Sequence, residues 1–103
     1  MVHIIWTESA GNDLIDIKEY ISLDSELQAE LFIEAIYTKA QVLSQFPEIG
    51  KPVPELSESN YRELLYKRYR IVYRFSDNEV FIVSIHHSSR LLFNNPHFKD
   101  LFQ

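Results

Sequence analysis

The sequence predicts an α+β domain in which an N-terminal strand, an antiparallel helical hairpin and a three-stranded antiparallel meander follow one another. Three observations carry that expectation. Apolar residues recur at helical spacing in two stretches before position 46, the string Phe46-Pro47-Glu48-Ile49-Gly50-Lys51-Pro52 breaks the pattern, and strict alternation then sets in at Tyr69. With 103 residues the chain is expected to form one domain, residues 1–103, with residues 91–103 a tail of undecided structure.

The elements are justified in turn. His3-Ile4-Ile5-Trp6-Thr7 is β-branched and aromatic and suits a strand. Thr7 or Ser9 can cap a helix over about residues 9–22, where Ala10, Leu14, Ile17 and Ile21 form one stripe and Asp13, Asp16 and Glu19 are expected in solvent. Ser25 with Gln28 is a capping pattern for a second helix, continued by Ala29, Phe32, Ile33, Ile36, Ala40 and Leu43 until Pro47 stops it. So short a link makes the two helices antiparallel. Pro52-Val53-Pro54 reads as an extended connector, and strands are expected at roughly 61–66, 69–76 and 79–87, the last two joined by a tight Asp77-Asn78 turn. In the middle strand Tyr69, Ile71, Tyr73 and Phe75 alternate with Arg70, Val72 and Arg74, which places the arginines on a sheet face turned away from the helices.

Composition narrows the chemistry. The chain has no cysteine, which excludes disulfides and thiolate metal sites, and its adjacent His86 and His87 point to opposite faces of a strand, so no metal site is expected. One of that pair is expected in the core at the end of the sheet. No apolar run approaches the roughly 20 residues of a membrane span, and no signal-peptide pattern opens the chain, so the expectation is a cytoplasmic protein without a membrane partner. Charge is unevenly spread: residues 1–60 hold three basic and eleven acidic side chains, residues 61–103 seven and four. A basic C-terminal half suits an anionic partner, yet a net charge of −5 does not provide the broad positive field of a non-specific nucleic-acid binder.

Taken together, the Phe46–Pro52 string, Arg62-Glu63-Leu64, Tyr69-Arg70-Ile71-Val72-Tyr73-Arg74 and His87-x-x-Arg90 resemble the RelE/ParE toxin superfamily of bacterial type II toxin–antitoxin systems, over about residues 5–90. Each motif is short, and their order and spacing carry the likeness. The resemblance implies a growth-inhibiting toxin neutralised by a cognate antitoxin that wraps it in a hetero-oligomer, with no cofactor. Two branches differ in target: one cleaves mRNA on the ribosome, the other poisons DNA gyrase without hydrolytic activity of its own. A metal-independent endoribonuclease would need cations for the scissile phosphate and a proton donor and acceptor, and Arg62, Arg70, Arg74 and His87 are the candidates. For a gyrase poison, Arg70, Arg74 and Arg90 are the candidate target-binding residues. The last tyrosine is Tyr73, the tail offers Phe93 where the nuclease branch adds a Tyr or His, and the chain is acidic. Those departures favour the gyrase-poison branch and its relatives of plasmid stabilisation, with ribosome-dependent mRNA cleavage and a non-toxic antitoxin-binding module as alternatives.

Every candidate also has a structural reading. Arg70 and Arg74 can pair with Glu63 or Glu79, Arg62 can pair locally with Glu63, and His87 can orient Arg90 or the chain turn. Trp6 and Phe46 suit the core better than a base-stacking platform. Ile15, Tyr20, Leu31, Tyr37 and Val42 widen the apolar stripes of the hairpin and are the candidate antitoxin-binding residues, the competing reading being contact with the tail from Leu91 to Phe102.

Overall fold

In the computed structural model, which describes residues 1–56 and 60–88, the expected order of elements is present with three additions. The chain runs β1 (His3–Trp6), α1 (Glu8–Ser22), α2 (Glu26–Gln41), a 3-10 turn (Val42–Ser44), β2 (Lys51–Pro52), a second 3-10 turn (Pro54–Leu56), β3 (Tyr61–Tyr66), β4 (Tyr69–Ser76) and β5 (Glu79–His87). The three meander strands fall at the expected residues. Pro52 lies in a two-residue strand instead of a free connector, and the second helix ends at Gln41 before a tighter turn completes the exit. The expected tail, residues 91–103, and Arg90 lie outside the described residues.

The sheet order is β1-β5-β4-β3-β2. The N-terminal strand therefore lies beside the last one, and the two run parallel, with Ile4 opposite Val80 and Trp6 opposite Ile82. Thr7 links this edge to the helix. Its N–H and hydroxyl both donate to the Ile82 carbonyl, at 3.1 and 2.7 Å, while the hydroxyl oxygen accepts from the Ala10 N–H at 3.3 Å. One side chain thus ends the strand and caps α1. Ser25 does the same for α2, accepting from the Gln28 N–H at 3.1 Å.

The main core lies between the hairpin and one sheet face, where Ala10, Leu14, Ile36 and Ala40 meet Leu64, Ile71, Tyr73, Val80, Ile82 and Ile85. The other face is not bare. The segment after β2 folds back across it, so that Val53 and Leu56 pack on Val72, Val83, Tyr61 and Phe81. A register shift sets Val72 opposite Ser84 and Tyr73 opposite Ile82, leaving Val83 as the extra residue of a β-bulge. Asp13 answers that irregularity. It is buried, not solvated as its place beside the stripe suggests, and accepts from the Ser84 hydroxyl at 2.9 Å and the Ile85 N–H at 3.0 Å. Phe46, expected in the core, is 57% exposed because the 3-10 turn swings the chain outward before Pro47.

Candidate functional site

Alternation along β4 does put Arg70, Val72 and Arg74 on the sheet face away from the helices, but Arg70 is not on the surface there. The covering segment brings Glu55 over it. The two terminal guanidinium nitrogens of Arg70 donate to the two Glu55 oxygens at 2.9 and 2.7 Å, and its Nε donates to Glu63 Oε1 at 2.7 Å. Arg70 is 6% exposed and Glu63 4%, and Lys51 Nζ stands 3.7 Å from the far oxygen of Glu63. Hydrogen bonding to Glu55, then to Glu63, raises the Arg70 pKa against the opposing effect of burial. A guanidinium saturated by two carboxylates has no free donor pair for a phosphate. The expectation of an exposed Arg70–Arg74 pair is corrected accordingly: an internal carboxylate occupies the fork of the first, and only the second faces outward.

Arg74 is half-buried, its guanidinium 4.5 Å from the centre of the Phe81 ring. It makes no ion pair among the described residues, Glu79 included. Arg62 lies on the opposite face, level with Tyr73. It does not pair with Glu63; its Nη1 donates to the Gly50 carbonyl at 2.7 Å and the Glu48 carbonyl at 3.3 Å, tying down the break after Pro47. Gly50 also donates its N–H to the Tyr73 hydroxyl at 2.9 Å. Burial raises the Tyr73 pKa, the hydrogen bond from Gly50 partly opposing it.

The two histidines face opposite ways, as their adjacency requires. His86 is the core member, 2% exposed and level with Arg70. His87 is level with Tyr69 and meets its ring edge-on at 5.2 Å. Arg62, Arg70, Arg74 and His87 are therefore not brought together: two faces of the sheet separate them, and four residues of strand, about 13 Å, separate Arg70 from Arg74. No group of three or more His, Cys, Asp or Glu suited to a metal ion occurs among the described residues.

One feature was not singled out from the sequence. Phe32, Tyr66, Tyr69 and His87 form a chain of ring contacts at the end of the sheet, with centroids 4.8 to 6.1 Å apart. Lys67 lies 5.5 Å from the Tyr66 ring, and Lys67 and Arg68, both exposed, form the turn. The string Tyr66-Lys67-Arg68-Tyr69, spanning the junction of the strands expected at 61–66 and 69–76, was the available signal.

Of the candidate partner residues on the hairpin, all five are exposed: Tyr20 75%, Ile15 56%, Tyr37 48%, Leu31 47% and Val42 40%. They do not form one stripe. Ile15 and Tyr20 stand about 140° apart around α1, and Tyr37 about 120° from Leu31 around α2. Tyr37 instead flanks Trp6, with ring centroids 4.6 Å apart, whereas Leu31 and Val42 share the outward side.

Comparison with known proteins agrees with this architecture. Residues 4–92 match the family described as the ParE toxin of the type II toxin–antitoxin system parDE. Toxin RelE2 of Caulobacter vibrioides is 36% identical over 92 residues, which is 88% of this chain and all of that protein. Among solved structures, the chromosomal ParDE toxin–antitoxin system from P. aeruginosa superposes with a TM-score of 0.70 at 23% identity, covering 84% of this chain and 96% of the other. The toxin–antitoxin complex RelBE2 from Mycobacterium tuberculosis gives 0.57 at 22%, with the same coverage. Those two likenesses concern the fold; the family match and the Caulobacter relative go further, and by them this chain belongs to the ParE toxin family of type II toxin–antitoxin systems, within the RelE/ParE superfamily.

Proposed function

We propose that this toxin acts in the cytoplasm by binding DNA gyrase, without catalytic turnover, and is neutralised by a cognate antitoxin seated on the helical hairpin. The observation that carries the gyrase reading is the dispersal of Arg62, Arg70, Arg74 and His87. Cleavage of RNA at a 2′-hydroxyl needs a cation and proton-transfer groups within hydrogen-bond reach of one phosphate. Here one arginine is sealed by Glu55 and Glu63, one holds backbone carbonyls, and the histidine and remaining arginine lie on opposite faces. A binding mechanism needs only an accessible cationic surface. Half-buried Arg74, over the partly buried Phe81 ring, is the described part of one, with Arg90 as the further candidate. Arg70 serves this surface by holding the covering segment in place. The antitoxin reading rests on exposed apolar side chains on both helices of a chain whose family is defined by such pairs. Among the described residues no helix is long and apolar enough to cross a membrane.

The test is supercoiling of relaxed plasmid by purified gyrase and ATP. Inhibition with accumulation of protein-linked linear DNA, reversed by the antitoxin and weakened by Arg74→Ala, is the expected result. Unimpaired supercoiling by folded protein, together with mRNA cleavage in a ribosome-containing translation extract, would replace this reading with the nuclease one. Inactivity in both assays with intact antitoxin binding would leave a non-toxic module.

A further inference from the structure

The turn between β3 and β4 is built against its own backbone chemistry. Both hairpins of the sheet close through two residues. The β4–β5 turn uses Asp77 and Asn78, residue types that tolerate their left-handed φ values, whereas the β3–β4 turn puts Lys67 at 51° and follows it with Arg68. Lysine gains nothing from a left-handed backbone, and an observed outlier of this kind points to a use for the side chains. The turn is also held in place: the Arg68 carbonyl accepts from the Ser88 N–H at 2.7 Å, and Tyr69 behind it meets Phe32 and His87. Both turn cations are exposed. A third arrives from elsewhere in the chain. Lys39, exposed in the last turn of α2, shares with Tyr66, Thr38, Ala35 and Glu34 the lining of a shallow groove of about 400 Å³. Lys67 stands 5.5 Å from the ring of that same tyrosine. None of Lys39, Lys67 and Arg68 is ion-paired among the described residues. Lys39 alone is accounted for by the negative end of the helix dipole, and a charged turn alone by solvation. Neither accounts for two separate elements placing cations around one tyrosine that walls a groove.

We infer that this end of the sheet binds a single strand of DNA, with phosphates on Lys39, Lys67 and Arg68 and a base against Tyr66. The chemistry selects the occupant. An acidic peptide would use the cations and leave the ring idle. A strand offers an anion and a planar ring in every nucleotide, and a cationic track beside an aromatic wall holds strands without regard to sequence. A duplex keeps its base faces stacked inside, out of reach of Tyr66. Glu34 sets the path: it closes the groove toward the acidic side of α2, so the strand leaves over the turn, away from Glu30 and Glu26. Three cations on a chain of net charge −5 hold a strand weakly, so the site works once a partner has brought DNA close. It lies on the helix side of the sheet, at the end of β4 remote from Arg74. The choice of DNA over RNA rests on the gyrase reading, because DNA is the substrate of that target; the strand site itself does not.

The experiment is fluorescence anisotropy of a labelled oligothymidylate of about twelve nucleotides, and of an oligouridylate of the same length, titrated with the full chain from low to high salt. Three phosphates neutralised on a single strand give log K against log salt a slope of about −2. Lys67→Gly should bring that slope to about −1.4, and Lys39→Gln/Lys67→Gly/Arg68→Gln to about zero. Tyr66→Leu should weaken binding about tenfold at every salt and leave the slope unchanged. The three cations are exposed, glutamine keeps the helix propensity of lysine and glycine relieves the turn, so the charge variants fold, as circular dichroism checks. Oligothymidylate should bind at least as tightly as oligouridylate. A slope that the triple variant leaves unchanged, or no binding of either strand by folded protein, overturns the inference, and inhibition of supercoiling by the same protein would keep the gyrase reading intact. Tighter binding of oligouridylate overturns it in favour of RNA. Stronger competition from polyglutamate than from unlabelled oligothymidylate overturns it in favour of an acidic peptide. Strand binding with the expected slopes but without inhibition of gyrase supports the site and defeats the gyrase reading.

Discussion

Arg70 shows how burial changes what a residue is for. Removing its side chain leaves Glu63, 4% exposed, without its guanidinium, and stranding one partner of a buried ion pair costs about 3–5 kcal/mol. Urea denaturation of Arg70→Ala should show a loss of that size, whereas Arg74→Ala, which gives up one cation–π contact, should lose about 1 kcal/mol or less. Lost toxicity in Arg70→Ala would then report unfolding, and only Arg74→Ala tests the surface. Gly50 is equally specific. A Cβ there would stand 2.6 Å from the Tyr73 hydroxyl and 2.7 Å from the Glu63 carbonyl oxygen, so Gly50→Ala should destabilise at least as much as Tyr73→Phe. The latter leaves the buried Gly50 N–H without its acceptor, at about 1–3 kcal/mol. Tyr73 also sets an alkaline limit. Its folded pKa is raised above the ordinary 10.0, so the folded state holds the proton after the unfolded chain has released it. Its contribution is complete below 10.0 and is lost as the pH climbs from there through the folded value. Denaturation midpoints measured toward high pH should fall more steeply for the natural chain than for Tyr73→Phe.

Within the elements, turns and caps decide stability where packing does not. Asp77 and Asn78 take φ values of 51° and 63°, the left-handed pair required by a two-residue hairpin, and both residue types tolerate it. Lys67 at 51° opens the other hairpin without that tolerance. Lys67→Gly should raise stability by about 0.5–1 kcal/mol in thermal or urea unfolding, relief of the left-handed strain outweighing the entropy of glycine. Asp13→Ala should cost about 1–3 kcal/mol, because the Ile85 N–H loses its acceptor beside the bulge. The meander was legible because alternation from Tyr69 to Phe75 and the Asp77-Asn78 turn are local signals. The bulge at Val83 was not, since Val80-Phe81-Ile82-Val83 reads as an unbroken apolar run whichever way the extra residue is accommodated. Asp13 was misjudged for the same reason: its partners lie on a strand more than seventy positions away.

At the scale of the whole molecule, the fold class and family were readable from order and spacing, whereas the candidate site was readable only in kind. Period two assigns Arg70 and Arg74 to one face correctly. It carries no information on whether another segment returns to cover that face, and Glu55, which seals Arg70, belongs to a connector without periodicity. The exposed apolar residues of the hairpin were identified individually, but their division among separate helix sides required the structure. The pairing of β1 with β5 was likewise invisible, and it makes the first strand depend on the last. Thr7 bonds to Ile82, 75 residues away, whereas Leu23 and Asp24 bond only to Tyr20 and Ile21 at the end of α1. During synthesis His3–Trp6 therefore waits for an edge to join until Glu79–His87 has emerged, and the hairpin waits with it for the sheet that covers Ala10, Leu14, Ile36 and Ala40.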